Sequence, residues 1–150
     1  MAEAIIFTGL QGSGKTTYFK HHFAATHQHI SRDVLQSAER EAAVVSDCLR
    51  AGRSFVLDNT NGTRALRAPY IREAKAAGFQ VRSYFFDTPV RTAIARNNHR
   101  TDKKPIPVPA ILRAAKLLER PSLNEGFDEI RTVTPEPDPT RGPESGAHKI

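Results

Sequence analysis

One eight-residue segment near the start of the chain constrains the fold more than any other. Residues 9–16 read GLQGSGKT and follow the short apolar run of residues 4–8. This is the pattern G-x-x-x-x-G-K-S/T between a predicted strand and a predicted helix, which is typical of the phosphate-binding loop called Walker A. We therefore predict a buried strand over residues 4–8, then a glycine-rich turn and a helix over about residues 14–25.

The residue types in this loop suit a nucleoside triphosphate. Gly9, Gly12 and Gly14 have no Cβ atom, so the backbone can wrap a phosphate chain and direct N–H groups inward at a helix N-terminus. Lys15 adds a positive charge for the outer phosphates, and the Thr16 hydroxyl can bind Mg²⁺. The predicted nucleotide-binding residues of the loop are Gly9, Gly12, Ser13, Gly14, Lys15, Thr16 and Thr17.

Strands and helices alternate along the rest of the chain. Hydrophobic periodicity and turn residues predict helices over residues 33–51, 68–77, 89–98 and 109–119, and strands over residues 54–57, 80–86 and 127–133. The second of these helices is expected to begin at about residue 68, because Pro69 fits the first turn of a helix but not its interior. The alternation predicts an α/β fold, a three-layer sandwich of the P-loop NTPase type with a mostly parallel sheet flanked by helices.

Length and composition indicate a single domain. The chain has 150 residues, of which 39% are hydrophobic and 25% charged, and these values exclude a disordered or a membrane-embedded chain. We assign residues 1–134 to the folded domain and residues 135–150, with four Pro and two Gly, to a disordered tail. The single cysteine, Cys48, and a start without a charged leader predict a reducing, cytoplasmic location.

Basic side chains are concentrated in the middle of the sequence. The formal net charge is +6, but residues 50–120 contain 15 Lys and Arg against 5 Asp and Glu. Such an excess is consistent with an anion-binding surface and equally with ordinary solvated helix faces. Charge alone therefore leaves both interpretations open.

Two aspartates follow predicted strands, where parallel sheets bind their ligands. Asp33 comes after residues 29–31 and begins a predicted helix, so it is either the N-cap of that helix or a general base for an attacking hydroxyl. Asp58 follows the strand of residues 54–57, where it can bind Mg²⁺ directly or through water, or can cap a loop. No N-K-x-D motif for guanine is present, which disfavours a GTPase.

Two further polar features have ordinary interpretations. The histidines His21, His22, His27 and His29 are predicted to be polar surface, because helical spacing scatters them too widely for a metal site. Cys48 has no identifiable base partner, so we interpret it as a small, half-buried apolar group. Neither feature predicts chemistry.

Six motifs together resemble the polynucleotide 5′-hydroxyl kinases, the kinase domain of end-healing enzymes from phages, bacteria and animals. They are the loop of residues 9–16, SRD at 31–33, LDNTN at 57–61, ARNNHR at 95–100, IPVP at 106–109 and RPSLNEGF at 120–127. The likeness extends from residue 5 to about residue 133. It implies that residues 1–134 form a P-loop kinase domain.

The resemblance assigns roles to individual residues. It implies that Asp33 is the general base and that Asp58 is the second acidic residue near the metal, and it repeats the roles given above to Lys15 and Thr16. It also implies that two lid arginines, Arg96 and Arg100, close over the triphosphate. Their i, i+4 spacing at a helix end agrees, since both guanidinium groups can face one anion.

The acceptor side departs from the family pattern at one position. Phage members carry an arginine three residues after the catalytic aspartate, whereas this chain has Gln36. We therefore expect other arginines to hold the acceptor, with Arg40 favoured by its i, i+4 spacing from Gln36. The predicted substrate-binding residues are Arg32, Arg40, Arg64 and Arg67.

Together these observations predict an enzyme that transfers the γ-phosphate of ATP, with Mg²⁺, to the 5′-hydroxyl end of DNA or RNA. Two alternatives stay open at the level of sequence. One is a kinase of the same fold that phosphorylates a small-molecule hydroxyl, and the other is an ATP-binding module without catalysis. The sequence indicates neither a membrane segment nor an obligate protein partner.

Overall fold

The computed structural model describes residues 2–99 and 105–134. Over these residues the elements are β1 Glu3–Thr8, α1 Lys15–His22, β2 Gln28–Ile30, α2 Arg32–Leu35, α3 Ala38–Ala51, β3 Phe55–Asp58, α4 Arg64–Ala76, β4 Gln80–Phe86, α5 Val90–Asn98, α6 Val108–Leu117, a 3₁₀ turn Leu123–Glu125 and β5 Glu129–Val133. None of these helices is long and apolar enough to span a lipid bilayer. The expected tail of residues 135–150 lies outside the described residues.

The five strands form one parallel sheet in the order β2-β3-β1-β4-β5. β1 is central, and its register pairs Phe7 with Asp58 of β3 on one side and with Tyr84 of β4 on the other. The carboxyl ends of β2, β3 and β1 therefore lie side by side, at the end of the sheet where α/β proteins bind ligands. This parallel sheet with flanking helices confirms the predicted α/β fold.

The core has two layers because the side chains of β1 alternate across the sheet. Ala4 and Ile6 pack on the side of α3 and α4, whereas Ile5 and Phe7 pack on the side of α1. The buried partners are Val45, Cys48, Ile71, Ala74 and Phe79 on the first face and Phe19, Phe23, Tyr84 and Phe86 on the second. Helices thus cover both faces of the sheet in a three-layer arrangement.

The segment predicted as one helix over residues 33–51 is two helices. α2 ends at Leu35, and Gln36 then adopts a left-handed backbone conformation with a φ of 67°. Ser37 caps α3 by accepting a hydrogen bond from the Arg40 N–H at 3.0 Å. The prediction of a continuous helix is wrong because the apolar spacing continues across a break that the Ser37 cap stabilises. The break also removes the helical i, i+4 relation between Gln36 and Arg40.

Helix α4 begins at Arg64 rather than at residue 68. Thr63 caps it by accepting a backbone hydrogen bond with its hydroxyl at 3.2 Å. Pro69 lies inside the helix, where it removes one backbone hydrogen bond. The cap and the burial of Ile71 and Ala74 against the sheet offset that loss.

Candidate functional site

A cleft of about 820 Å³ opens beside the carboxyl ends of β1, β2 and β3. Its walls come from the loop after β1, the start of α1, the segments that follow β2 and β3, and one side of α4. Eight residues with predicted roles line it: Gly12, Gly14, Lys15, Thr16, Thr17, Arg32, Asp33 and Asp58. Gly9 and Ser13 are buried within the loop. The fold therefore brings the phosphate-binding loop and both predicted carboxylates into one cleft.

The phosphate-binding loop is packed tightly between β4 and α5. A Cβ atom on Gly12 would lie 2.4 Å from the carbonyl oxygen of Ala93 in α5, and one on Gly9 would lie 2.8 Å from the Cβ atom of Phe86 in β4. Gly12 and Gly14 also have φ values of 83° and 89°, in the left-handed region that favours glycine. Packing therefore requires glycine at position 9, backbone conformation favours it at position 14, and both require it at position 12.

Helix α1 begins directly after the loop, with Gly14 as its N-cap and without a side-chain cap. The first N–H groups of a helix have no intrahelical acceptors, and they form the positive end of its dipole. The Lys15 ammonium donates to the carbonyl oxygens of Gly9 at 3.0 Å and Leu10 at 2.9 Å. This combination of backbone donors and a lysine fits a bound phosphate chain.

A hydroxyl, a carboxylate and an imidazole meet beside the loop. Thr16 Oγ1 donates to Asp58 Oδ2 at 2.9 Å, and His29 Nε2 lies 2.7 Å from the same oxygen. The Asp58 side chain is 3% exposed, whereas His29 is half-buried and Thr16 is exposed to the cleft. Hydroxyl and carboxylate oxygens are hard ligands of the kind that Mg²⁺ prefers. Thr16 and Asp58 thus fit the predicted metal site.

His29 is a site residue that the sequence analysis missed. Its ring stacks on Phe19 with 4.3 Å between ring centroids, and it lines the cleft. The other histidines of the run lie elsewhere: His27 pairs with a carboxylate, and His21 and His22 are exposed. No group of three potential metal ligands forms within the part of the chain that the structure describes. The signal that could have identified His29 is its place near the carboxyl end of β2.

Asp33 lies in the first turn of α2 and is exposed in the cleft. The N-cap of this helix is Ser31, whose hydroxyl accepts a hydrogen bond from the Val34 N–H at 3.2 Å. The interpretation of Asp33 as an N-cap is therefore excluded. Its position in the same cleft as the Thr16 and Asp58 pair is compatible with the general base, which stays a prediction.

Two of the arginines with predicted roles lie at the site. Arg32 lines the cleft. Arg96, on α5, approaches the phosphate-binding loop, and its Nη1 atom lies 3.3 Å from the position that a Cβ atom on Gly14 would occupy. Arg100 lies outside the described residues, so its predicted pairing with Arg96 stays a prediction.

Three arginines expected to bind the acceptor, Arg40, Arg64 and Arg67, do not line the described cleft. Arg67 is 0% exposed. Its Nε and Nη2 atoms each donate to the Glu125 carboxylate at 2.9 Å, and its Nη1 atom donates to the Asn61 carbonyl at 2.9 Å. The expectation for Arg67 is corrected, because its guanidinium donates to interior acceptors and has no exposed surface. Arg40 is exposed and donates to the carbonyl of Leu35 at the end of α2. Arg64 is exposed and donates to side chains of Ser122 and Asn124 at the 3₁₀ turn.

Comparison with known proteins identifies the family. Residues 31–121, more than half of the chain, match the family described as AAA domain. The chain belongs to this family. The matched segment contains Asp33, Asp58 and Arg96, and it begins after the phosphate-binding loop.

A viral relative shares most of the sequence. A protein of Acanthamoeba polyphaga mimivirus, named as a bifunctional polynucleotide phosphatase/kinase, is 31% identical over 139 residues, which are 88% of this chain and 33% of the relative. The chain thus spans about a third of that relative's length. The similarity confirms the resemblance to the polynucleotide kinase family that the six motifs indicated.

Two solved structures share the fold at low sequence identity. An unliganded sugar kinase from Janibacter sp. HTCC2649 has a TM-score of 0.69 and 15% identity, over 94% of this chain and 90% of that chain. Kti12 from Chaetomium thermophilum, in complex with ADP-AlF3, has a TM-score of 0.68 and 21% identity, over 92% of each chain. These similarities confirm the three-layer P-loop architecture.

Proposed function

We propose that this chain is an ATP-dependent kinase that transfers the γ-phosphate of ATP, with Mg²⁺, to the 5′-hydroxyl end of a DNA or RNA strand. The observation that carries the proposal is that Lys15, the Thr16 and Asp58 pair, and Asp33 line a single cleft. Membership of the AAA domain family and the name of the viral relative support it. The net charge of +6 suits a polyanionic acceptor.

The roles of the residues follow from the chemistry of phosphoryl transfer. The transition state is loose, so positioning and charge neutralisation supply most of the catalysis. Lys15 and Arg96 stabilise charge on the γ-phosphate, while Thr16 and Asp58 hold Mg²⁺, which neutralises phosphate charge when it is bound. Asp33 orients the acceptor hydroxyl and takes its proton as the new oxygen–phosphorus bond forms and the bond to ADP breaks.

Two apolar side chains favour a nucleotide acceptor over a wholly polar one. Val34 and Leu66 are 67% and 59% exposed, and both line the cleft that contains Asp33. Ligand sites commonly combine apolar walls with a few oriented polar groups. A nucleobase has a flat apolar face that is larger than the C–H face of a sugar ring, and it can cover these side chains while the 5′-hydroxyl reaches Asp33.

The proposal is tested by incubating the protein with labelled ATP, Mg²⁺ and DNA or RNA oligonucleotides that end in a 5′-hydroxyl. We expect label to appear on these ends and not on matched oligonucleotides with a 5′-phosphate. Asp33→Asn should lower kcat by about 100-fold or more, because the acceptor proton loses its base. Asp47→Asn, an exposed carboxylate on α3 outside the cleft, is the matched control and should behave as the wild-type protein does.

The alternatives give different results in the same assay. Transfer to sugars or other small alcohols, with none to nucleic acid ends, would favour a small-molecule kinase of the same fold. Binding of ATP without transfer to either acceptor would favour a non-catalytic module.

We also expect the protein to act in the reducing cytoplasm, in keeping with its single, buried and unpaired Cys48.

A further inference from the structure

A buried carboxylate lies directly behind the acceptor side of the cleft. Glu41 is in the first turn of α3, and its side chain is 0% exposed. A buried carboxylate is costly unless charged or polar partners occupy its oxygens. The partners of Glu41 therefore indicate why a charge is kept there.

Both oxygens of Glu41 are held by residues of the cleft. Arg32 Nη2 donates to Oε1 at 2.9 Å, and Asn59 Nδ2 donates to Oε2 at 2.6 Å. Tyr70 lies nearby on α4, and burial together with the Glu41 charge raises the pKa of its hydroxyl. Arg32, Asn59 and Tyr70 all line the cleft, so Glu41 contacts three of its walls.

A third hydrogen bond closes these contacts into a ring. The Arg32 backbone N–H donates to Asn59 Oδ1 at 2.8 Å, so Glu41, Asn59 and Arg32 are joined pairwise. Arg32 directly precedes Asp33, and Asn59 directly follows Asp58. The ring therefore fixes the backbone of the loop after β2 relative to the loop after β3, and with it the separation of the two aspartates.

We propose that Glu41 is a positioning residue of the phosphoacceptor site. It aligns Asp33 with Asp58 and holds the Arg32 guanidinium at the cleft, and it does so without touching the phosphate-binding loop. The inference rests on the proposed function, since it concerns the acceptor of that reaction. It follows that loss of Glu41 impairs use of the acceptor and leaves nucleotide binding intact.

The test begins with Glu41→Gln, in which an amide NH₂ replaces one of the two accepting oxygens and faces a donor. We expect kcat/KM for a 5′-hydroxyl oligonucleotide to fall about 10- to 100-fold, as small displacements of reacting groups do. The KM for ATP and the Kd for ADP should stay within about twofold of wild type, because the loop of residues 9–16 is outside the ring. Glu39→Gln removes an exposed carboxylate from the same helix and should change none of these values.

A second substitution separates positioning from general stability. In Glu41→Gln/Asn59→Asp the amide and the carboxylate exchange places. The glutamine oxygen can then accept from Arg32 and its NH₂ can donate to the new carboxylate, which still accepts from the Arg32 N–H. We expect this double variant to recover most of the lost kcat/KM. If Glu41→Gln does not fold, Glu41→Asp keeps the charge, shortens the reach and should show the same acceptor-specific loss.

The possible results separate this inference from the function on which it rests. Transfer by the wild-type protein, together with an equal kcat/KM for Glu41→Gln, would overturn the inference alone. So would a loss of activity in which ADP affinity falls equally and the double variant gives no recovery, since that describes a purely structural residue. Absence of transfer by the wild-type protein to any 5′-hydroxyl end would overturn the proposed function and this inference with it.

Discussion

Two single residues, Val34 and Leu66, place exposed apolar side chains in the cleft. Scattered surface leucines and valines are ordinary in folded proteins. Val34 and Leu66 differ because both lie in the cleft that contains Asp33, on α2 and α4 respectively. Their apolar surface is a source of binding energy for any acceptor that covers it.

Replacing Val34 and Leu66 by serine should weaken binding of the terminal nucleotide. Covering a side chain of this size contributes about 1.5 kcal/mol, so each change should raise the KM for the oligonucleotide about tenfold. An oligonucleotide with an abasic 5′-terminal residue should bind the wild-type protein more weakly, and the variants should not distinguish it from the normal end. Leu117→Ser, at an equally exposed leucine outside the cleft, is the control.

Equal KM values for normal and abasic ends in the wild-type protein would contradict this contact and would leave phosphoryl transfer itself unaffected.

Residue positions were predictable where a local pattern defines them. The loop of residues 9–16 is such a pattern, and it lies between β1 and α1 as its glycine spacing predicts. The buried position of Arg67 was not predictable, because it depends on an ion pair with Glu125, which is 58 residues away. The contacts of Glu41 were equally unpredictable, since the two loops that it joins meet only in the folded sheet.

Among the structural elements, the phosphate-binding loop and helix α5 pack so closely that they act as one unit. The contact is made by Gly12 against the backbone of Ala93, which leaves no space for a side chain. Arg96 lies one turn further along α5, beside Gly14. Anything that separates the loop from α5 therefore disturbs both the phosphate donors and this arginine.

Gly12→Ala should lower ADP affinity by about tenfold or more. Alanine at a φ of 83° costs about 1–2 kcal/mol in backbone strain, and its Cβ atom must in addition displace the loop from α5. Gly78→Ala is the matched control, because Gly78 has the same φ of 83° but open space around it. Calorimetric titration with ADP measures the difference, and equal affinities for the two variants would refute the contribution of packing.

The elements were predicted best where burial alone determines them. The strand predicted over residues 80–86 has those bounds in the structure, because most of its side chains are buried and turn residues flank it. The helix over residues 33–51 was predicted as continuous because periodicity records burial but not caps, and the Ser37 cap divides it. The start of α4 was predicted too late for a related reason. Proline is expected in the first turn of a helix, but here tertiary packing outweighs the one hydrogen bond that Pro69 removes from the helix interior.

At the scale of the whole molecule, buried ion pairs link distant segments. Arg67 and Glu125 join α4 to the 3₁₀ turn, and Glu125 also accepts a hydrogen bond from the Ser122 N–H at 2.9 Å. Burial raises the pKa of Glu125, but the hydrogen bonds from Arg67 and Ser122 outweigh it and hold the pKa below its ordinary value. The pair therefore stabilises the fold above the unfolded-state pKa and loses this contribution as pH falls through the folded-state pKa.

Arg67→Met should lower the free energy of unfolding by about 3–5 kcal/mol at pH 7, since it leaves a buried carboxylate without its partner. Arg64→Met, at an exposed arginine of the same helix, should cost less than about 1 kcal/mol. Urea unfolding at several pH values measures both. The difference between the wild type and Arg67→Met should shrink in the acid range, and a difference that is independent of pH would contradict this account.

The net charge of the chain overstates how much basic surface is available to an anionic partner. Part of the basic excess between residues 50 and 120 is used inside the protein: Arg67 pairs with Glu125, and Arg82 pairs with Glu3 and Glu129. A sequence sum counts these arginines as available to an anionic partner. Only the fold distinguishes internal pairing from an exposed binding surface.

The position of β2 bears on how such proteins can change. This strand has three residues and lies at the edge of the described sheet, with β3 as its neighbour. The loop predicted to bind the nucleotide instead follows the central strand β1. An edge segment must stay compatible with one neighbour and tolerates replacement better than a central one. On the proposed function, the stretch from α2 to α3 is therefore the natural place to exchange for a different acceptor, with His29 of β2 kept because it contacts Asp58.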